Sequence, residues 1–132
     1  MKLVADTSIF LAVALNEPER DRIIEATAAA AVLAPDVLPY EVGNALSALV
    51  KRGKLTPAEA LSAERAVSRI AARLVPVDVR SALKLALEHG IYAYDAYFLQ
   101  SALAYSCPLL TLDRRMNEVA KRLGVEGQEM QL

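Results

Sequence analysis

Short, almost wholly apolar runs alternate along this chain with longer segments in which apolar residues recur at helical spacing. The runs fall at 2–5, 31–34, 74–77 and 108–112. Strands that are buried on both faces of a sheet appear as such runs, and their alternation with helices is typical of a parallel sheet. Right-handed crossovers then place helices on both faces. The pattern predicts a single α/β domain over residues 1–132, with a mostly parallel central sheet.

Capping residues and glycines mark the ends of the helices between these runs. We expect Asp36, Thr56 and Asp78 as N-terminal caps, and Gly53, Gly90 and Gly124 as helix stops. The predicted helices span 9–15, 19–29, 37–51, 57–73, 79–89, a segment around Asp95, and 114–123. Residues 125–132 are expected to add an edge strand.

Composition removes several classes of protein. Hydrophobic residues make up 55% of the chain, yet no apolar run approaches the ~20 residues that a membrane-spanning helix needs. Without a cleavable signal pattern either, the protein is expected to be cytoplasmic. Cys107 is the single cysteine, which excludes an internal disulfide framework and a multi-cysteine zinc site. His89 is the single histidine, which disfavours a histidine-rich metal site and a Ser-His-Asp triad. A net charge of −1 gives no overall attraction to nucleic acid.

The stretch AYDAYFLQSALAY at residues 93–105 carries the first chemical signal. Asp95 opens a helical stripe that continues with Phe98, Leu99 and Ala102. A carboxylate among apolar residues is costly unless something pairs with it. The stripe therefore raises the question of what stabilises Asp95.

Three other acids share this position at the border of apolar structure. Asp6 and Asp113 each end an apolar run, and Glu41 flanks the apolar stripe of its helix. The carboxyl ends of parallel strands are where ligands gather, and four converging carboxylates are stable only with protons or a cation. Oxygen ligands without histidine favour a hard divalent ion, Mg²⁺ or Mn²⁺. Such an ion suits phosphoryl chemistry.

Simpler interpretations of the same acids stay open. Asp6 and Asp113 each precede a helix and are equally well placed to cap it. Asp95 lies near a helix start, where the helix dipole stabilises a negative charge. Glu41 taken alone fits a solvated helix position. The coincidence of the four positions favours the metal site.

Four segments, in this order, resemble the PIN-domain family and in particular the VapC toxins of toxin–antitoxin pairs. They are VADTSIF at 4–10, PYEVGNAL at 39–46, YDAYFLQSALAY at 94–105 and PLLTLDRRM at 108–116. The resemblance implies a three-layer α/β/α PIN-like domain that is a Mg²⁺- or Mn²⁺-dependent endoribonuclease. It also implies an RNA substrate, a cognate antitoxin and a homodimer. Two alternatives remain: a catalytically weak RNA-binding or scaffolding protein of this fold, and an RNA-processing nuclease without a toxin role.

When the family's motifs are matched to this sequence, the resemblance implies that four acids are both the catalytic residues and the metal ligands: Asp6, Glu41, Asp95 and Asp113. The polar residues expected to support them are Thr7, Ser8, Asn44 and Thr111. Arg114 and Arg115 follow the fourth acid directly and are candidates for RNA binding, since phosphate contacts dominate affinity. Many relatives carry a further acid where this chain has Arg115, which leaves a second metal ion with less support than the first. The apolar helix pair at 36–52 and 56–73 is a hypothetical dimer contact or antitoxin groove.

Overall fold

The computed structural model describes residues 1–125. Of the edge strand expected at 125–132, only the first residue falls within them. The elements in chain order are β1 (Lys2–Ala5), α1 (Thr7–Ala14), α2 (Arg20–Thr27), β2 (Ala31–Pro35), α3 (Leu38–Lys51), α4 (Pro57–Ser68), β3 (Arg73–Val75), α5 (Val79–His89), α6 (Ala93–Ala104), β4 (Leu109–Leu110) and α7 (Arg114–Arg122). The predicted α/β class is confirmed.

The four strands form one sheet in the order β3-β2-β1-β4, and every pairing is parallel. The chain runs outward from β1 through β2 to β3, and then returns to place β4 on the other side of β1. The direction of winding therefore reverses between β1 and β4. In open parallel sheets, the crevice at such a switch point is where ligands bind.

Helices cover the sheet in two groups. Helices α2, α3 and α4 each contact α1, whereas α5 packs on α6, which in turn lies against β1, β2 and β4. Phe10 of α1 and Phe98 of α6 are both almost fully buried in the hydrophobic core. This gives the predicted three-layer α/β/α arrangement. Among the described residues, no helix is long and apolar enough to cross a membrane.

Two details of the predicted elements are wrong. Helix α4 ends at Ser68 rather than near 73, because the chain must reach Arg73 already extended to pair with Leu33 of β2. Asp36 does not cap α3: its backbone N–H donates to the Val75 carbonyl at 2.9 Å, and the helix begins after Val37 without a side-chain cap. Pairing with the neighbouring strand overrides local helix preference at both points.

The caps expected at Thr56 and Asp78 are present. Thr56 forms a reciprocal capping box with Glu59, and the Asp78 side chain accepts hydrogen bonds from two backbone N–H groups of α5. Gly90 lies at the end of α5 with φ of 64°, a left-handed conformation that glycine adopts without strain. Gly90 thereby begins the short turn that leads into α6.

Candidate metal centre

The two strands at the switch point bring Asp6 and Thr111 side by side. Ala5 of β1 is paired with Leu110 of β4, so the residue that follows each strand end meets its neighbour. The Thr111 hydroxyl donates to Asp6 Oδ2 at 2.5 Å, and the Ser8 hydroxyl donates to Asp6 Oδ1 at 2.5 Å. Both oxygens of the buried Asp6 carboxylate are therefore held by hydroxyl groups.

Asp6 also caps helix α1, because its side chain accepts a hydrogen bond from the Ile9 N–H at 3.4 Å. Burial raises the pKa of Asp6 from its ordinary value of 3.8 to about 6. The hydrogen bonds from Ser8, Thr111 and Ile9 oppose that shift, and the charge of Asp113 adds to it. The site thus holds a carboxylate whose charged form is costly until a cation is present.

Glu41 reaches the same region from the first turn of α3. Its Oε2 accepts a hydrogen bond from the Thr7 hydroxyl, at the start of α1, at 3.3 Å. Partial burial raises the pKa of Glu41, the Thr7 hydrogen bond opposes this, and the charges of Asp95 and Asp6 raise it further. This bond ties α3 to the start of α1, close to the end of β1.

Asp113 and Asp95 complete the group. Asp113 is exposed and caps α7, accepting from the Arg115 N–H at 2.8 Å. Asp95 lies in the first turn of α6. Burial is the main cause that raises the pKa of Asp95; the charge of Asp113 adds to it and that of Arg115 lowers it. Asp113 can therefore cap α7 and also bind a metal ion. Its Oδ1 serves the cap, and its Oδ2 accepts no hydrogen bond from the described part of the chain.

The mutual repulsions join the four acids in a closed ring. Asp6 interacts with Asp113, Asp113 with Asp95, Asp95 with Glu41, and Glu41 with Asp6. No three of these side chains converge into a ready-made metal cluster within residues 1–125. Like charges are expected to stay apart without a cation between them. The all-oxygen donor set and the uncompensated charge fit a hard divalent ion.

The residues that were predicted to support these acids differ in their contacts. Thr7, Ser8 and Thr111 donate hydrogen bonds to the carboxylates as described above. Asn44 is exposed, and its side chain makes no hydrogen bond to any described residue, so its support of the acids stays a prediction.

The two arginines after Asp113 also differ. Arg114 is exposed and its side chain has no hydrogen bond or ion pair in the region the structure covers. Arg115 Nη2 donates to the Gly90 carbonyl oxygen at 2.9 Å. Gly90 was predicted only as a helix stop. The sequence holds no signal for its contact with Arg115, because a backbone carbonyl carries no residue identity.

The chain is similar to known proteins over nearly its whole length. Residues 3–122 match the family model of the PIN domain. Ribonuclease VapC3 of Pyrobaculum aerophilum is 33% identical over 123 residues, which cover 89% of this chain and 94% of the relative. Ribonuclease VapC9 of Mycobacterium tuberculosis is 28% identical over 119 residues, covering 90% and 91%.

Solved structures give the same result for the fold. The crystal structure of PAE2754 from Pyrobaculum aerophilum has a TM-score of 0.72 at 25% identity, covering 96% of this chain and 83% of that one. VapBC2 from Rickettsia felis, bound to a promoter DNA fragment, has a TM-score of 0.68 at 12% identity, covering 97% and 98%, and shows the fold alone. The family model and the similarity to VapC3 place the chain, over nearly its whole length, in the PIN domain family.

Proposed function

We propose that the protein is a divalent-metal-dependent endoribonuclease of the VapC type, the toxin of a toxin–antitoxin pair. The observation that carries the proposal is the closed ring of Asp6, Glu41, Asp95 and Asp113 at the switch point of a PIN-domain sheet. The similarity to two VapC ribonucleases supports RNA as the substrate. Four acids that form no salt bridge within residues 1–125 suit the binding of a metal ion, and of phosphate through that ion, better than they suit a scaffold.

The four carboxylates are the groups that would hold Mg²⁺ or Mn²⁺. Such an ion lowers the pKa of a bound water and neutralises charge that develops on a phosphate. The chain's own contribution is orientation. Ser8 and Thr111 fix both oxygens of Asp6, and Thr7 fixes one oxygen of Glu41.

Arg114 is the better candidate for contact with an RNA phosphate. It is exposed, directly follows Asp113 and makes no hydrogen bond with the described protein. An arginine in this state keeps all five of its N–H donors for a phosphate group. Arg115 already uses one of them on the Gly90 carbonyl.

Calorimetric titration of Mn²⁺ tests the metal site directly. We expect the wild-type protein to bind Mn²⁺, and Asp6→Asn and Asp95→Asn each to weaken binding at least about tenfold, because each removes a charged oxygen ligand. Asp36→Asn is the matched control, since Asp36 follows β2 at the same edge of the sheet but takes no part in the ring. Its affinity should equal that of the wild type.

Two results would contradict the proposal. If the wild type binds no Mn²⁺ even with RNA present, the ring is not a metal centre, and the alternative of a binding or scaffolding protein is favoured. If Asp36→Asn weakens binding as much as Asp95→Asn, general surface charge explains the affinity. A toxin role is tested separately: expression should arrest growth, the antitoxin should relieve the arrest, and an RNA-processing nuclease would show no such pair of effects.

A cognate antitoxin is the proposed protein partner, and the groove between α3 and α4 is its proposed site. Leu38, Val42, Val67 and Ile70 line this groove, together with Leu74 of β3, which is 44% exposed. Leu38 and Val42 are already buried and form the floor of the groove. An amphipathic helix that lays its apolar face there would cover Leu74 and the partly exposed Val67 and Ile70. The sequence left the helix pair at 36–52 and 56–73 open as either a dimer contact or an antitoxin groove. We propose the antitoxin, and not a second copy of the chain, as the occupant of this groove.

For the homodimer we propose helix α5 as the contact. Val79, Leu83 and Leu87 stand four residues apart on α5 and are 56%, 46% and 75% exposed. If two copies of α5 pair antiparallel around Leu83, Val79 of one copy meets Leu87 of the other. The apolar stripe of the helix is therefore complementary to itself.

Leu87→Glu should convert the dimer into a monomer, because it places a charge against Val79 of the other copy at each end of the apolar stripe. Light scattering coupled to size exclusion measures the mass. Leu61→Glu is the control, since Leu61 is 72% exposed on α4 and lies outside the stripe. A dimer that survives Leu87→Glu, or one that Leu61→Glu dissociates, would place the contact elsewhere.

A further inference from the structure

Tyr92 occupies a helix cap position that its side chain cannot serve. It is the N-cap residue of α6, and its side chain makes no capping hydrogen bond. Serine, threonine, aspartate and asparagine are preferred at this position, because their side chains accept hydrogen bonds from the first N–H groups of the helix. Helices α1, α4, α5 and α7 all have such a cap. Tyr92 therefore does not stabilise the start of α6 in the way that a polar cap would.

Tyr92 also contributes little to the packing of the protein. It is 84% exposed, the largest exposed fraction among the exposed large hydrophobic residues that the structure describes. Its phenol ring has no aromatic partner within residues 1–125, whereas Tyr94 packs edge-to-face on Tyr97 with the ring centroids 6.0 Å apart. Residues that break a local rule without a gain for the fold are expected at functional sites. The position and exposure of Tyr92 thus indicate a role outside the fold.

Tyr92 is a neighbour of Asp95, one of the four acids. Asp95 is the third residue of α6, and the N-cap residue of a helix lies next to the third residue of that helix. Thr56 and Glu59 show this geometry at the start of α4, where the side chain of each accepts a hydrogen bond from the backbone N–H of the other at 2.9 and 3.1 Å. The phenol ring of Tyr92 therefore borders the proposed metal site.

The start of α7 lies against the same turn. Arg115 Nη2 donates to the Gly90 carbonyl oxygen at 2.9 Å, and Gly90 precedes Tyr92 by two residues. Arg114, the residue proposed above for contact with an RNA phosphate, is adjacent to Arg115 and exposed. An exposed aromatic face, a guanidinium without a described partner and the acids thus border one another. A nucleotide offers a matching set of groups, namely a flat base and a phosphate.

We propose that Tyr92 is a substrate-binding residue that stacks on an unpaired RNA base next to the phosphate bound at the four acids. The inference rests on the proposed function, since it takes RNA as the substrate. Tyrosine suits this role because every base has a flat π-face, and stacking on an aromatic side chain needs no particular base sequence. A base in a duplex is already paired and stacked, so Tyr92 would favour a single-stranded segment.

Binding of a labelled pool of single-stranded RNA of random sequence, followed by fluorescence anisotropy, tests the inference. All proteins carry Asp6→Asn, so that the RNA is not cut during the titration. We expect Tyr92→Ala to bind about tenfold more weakly than its parent, the scale of one base–aromatic stack, and Tyr92→Phe to keep the affinity because it keeps the ring. Tyr40→Ala is the matched control. Tyr40 is 77% exposed and directly precedes Glu41, but side chains one residue apart on a helix do not face each other.

Three results would overturn the inference. An equal loss of affinity in Tyr40→Ala would mean that any exposed aromatic side chain near the acids has the same effect. An equal loss for duplex RNA would mean that Tyr92 contacts the backbone of the RNA and not a base. Light scattering on Tyr92→Ala should give the same mass as the wild type. A smaller mass would make a second copy of the chain the partner of this phenol ring.

A tryptophan at the same position reports stacking without any cleavage. The chain contains no tryptophan, so Tyr92→Trp introduces a single one. Single-stranded RNA should quench its emission, because a base then stacks on the indole ring. Inorganic polyphosphate, which has the charge but no base, should leave the emission unchanged. RNA that binds without quenching, or polyphosphate that quenches as strongly as RNA, would overturn the inference.

The inference and the proposed function fail in different ways. If the wild type binds Mn²⁺ and cuts RNA but Tyr92→Ala binds RNA as tightly as its parent, the inference is overturned and the proposed function stands. If RNA quenches Tyr92→Trp while the wild type binds no Mn²⁺ and cuts no RNA, the metal-dependent activity is refuted. The stacking role of Tyr92 then stands in an RNA-binding protein of this fold.

Discussion

Asp95→Asn is expected to abolish RNA cleavage while making the metal-free protein more stable. Asp95 is a half-buried carboxylate that the charges of Glu41 and Asp113 repel, and the charge of Arg115 offsets part of this. Asparagine has almost the same shape but no charge, so the variant loses a metal ligand and also loses the repulsion. We expect cleavage to fall at least about a hundredfold, the scale at which one charge-stabilising group acts in catalysis.

The gain in stability separates a functional acid from a structural one. For a partly exposed site, the free energy of unfolding at pH 7.5 in EDTA should rise by about 0.5 kcal/mol, the scale of exposed charge interactions. RNA cleavage is measured with Mn²⁺ on total RNA, and stability by urea unfolding. Asp36→Asn should leave both unchanged. A loss of metal-free stability in Asp95→Asn would show that the carboxylate supports the fold, by the helix-dipole interaction that the sequence left open.

Much of this geometry could be predicted because parallel sheets place strand ends together. Asp6 and Asp113 each follow an apolar run, and a buried strand that stops at an acid is visible in the sequence. The choice between a helix cap and a metal ligand could not be made there. The structure shows why: Asp6 and Asp113 both cap helices, and a carboxylate that caps with one oxygen can still interact through its charge.

Other features depend on pairings between distant segments. The strand order that places β4 beside β1 decides that Thr111 meets Asp6, and no local pattern encodes this order. The same dependence explains the early end of α4, whose helical pattern continues past Ser68 although β2 requires an extended partner. The bond from Arg115 to Gly90 joins a side chain to a carbonyl 25 residues away. Such contacts follow from the assembled fold and not from spacing.

The metal-free protein is expected to lose stability as the pH rises from 4 to 8, and Asp6→Asn is expected to remove most of that loss. The pKa of Asp6 is raised from 3.8 to about 6 in the folded protein, mainly by burial. The folded state therefore binds the proton more tightly than the unfolded chain does. This stabilisation is fully present below about pH 4 and is lost as the pH passes through about 6.

The size of the effect follows from the shift. About two pKa units correspond to about 3 kcal/mol, at 1.36 kcal/mol for each unit. Asp6 is only 7% exposed, so solvent screens little of this. Glu41 and Asp95, whose pKa values are also raised, act in the same direction with smaller weight because both are partly exposed.

Urea unfolding in EDTA at pH 4, 5, 6, 7 and 8 measures the difference between the wild type and Asp6→Asn. Asparagine caps helices as well as aspartate does, so the two proteins should be equally stable at pH 4. By pH 8 the variant should be more stable, by up to about 3 kcal/mol. If the free energy of unfolding changes with pH equally in both proteins, the pKa of Asp6 does not differ between the folded and the unfolded state. Mn²⁺ should reverse the trend in the wild type alone, because metal binding requires the ionised carboxylate and gains affinity as the pH rises.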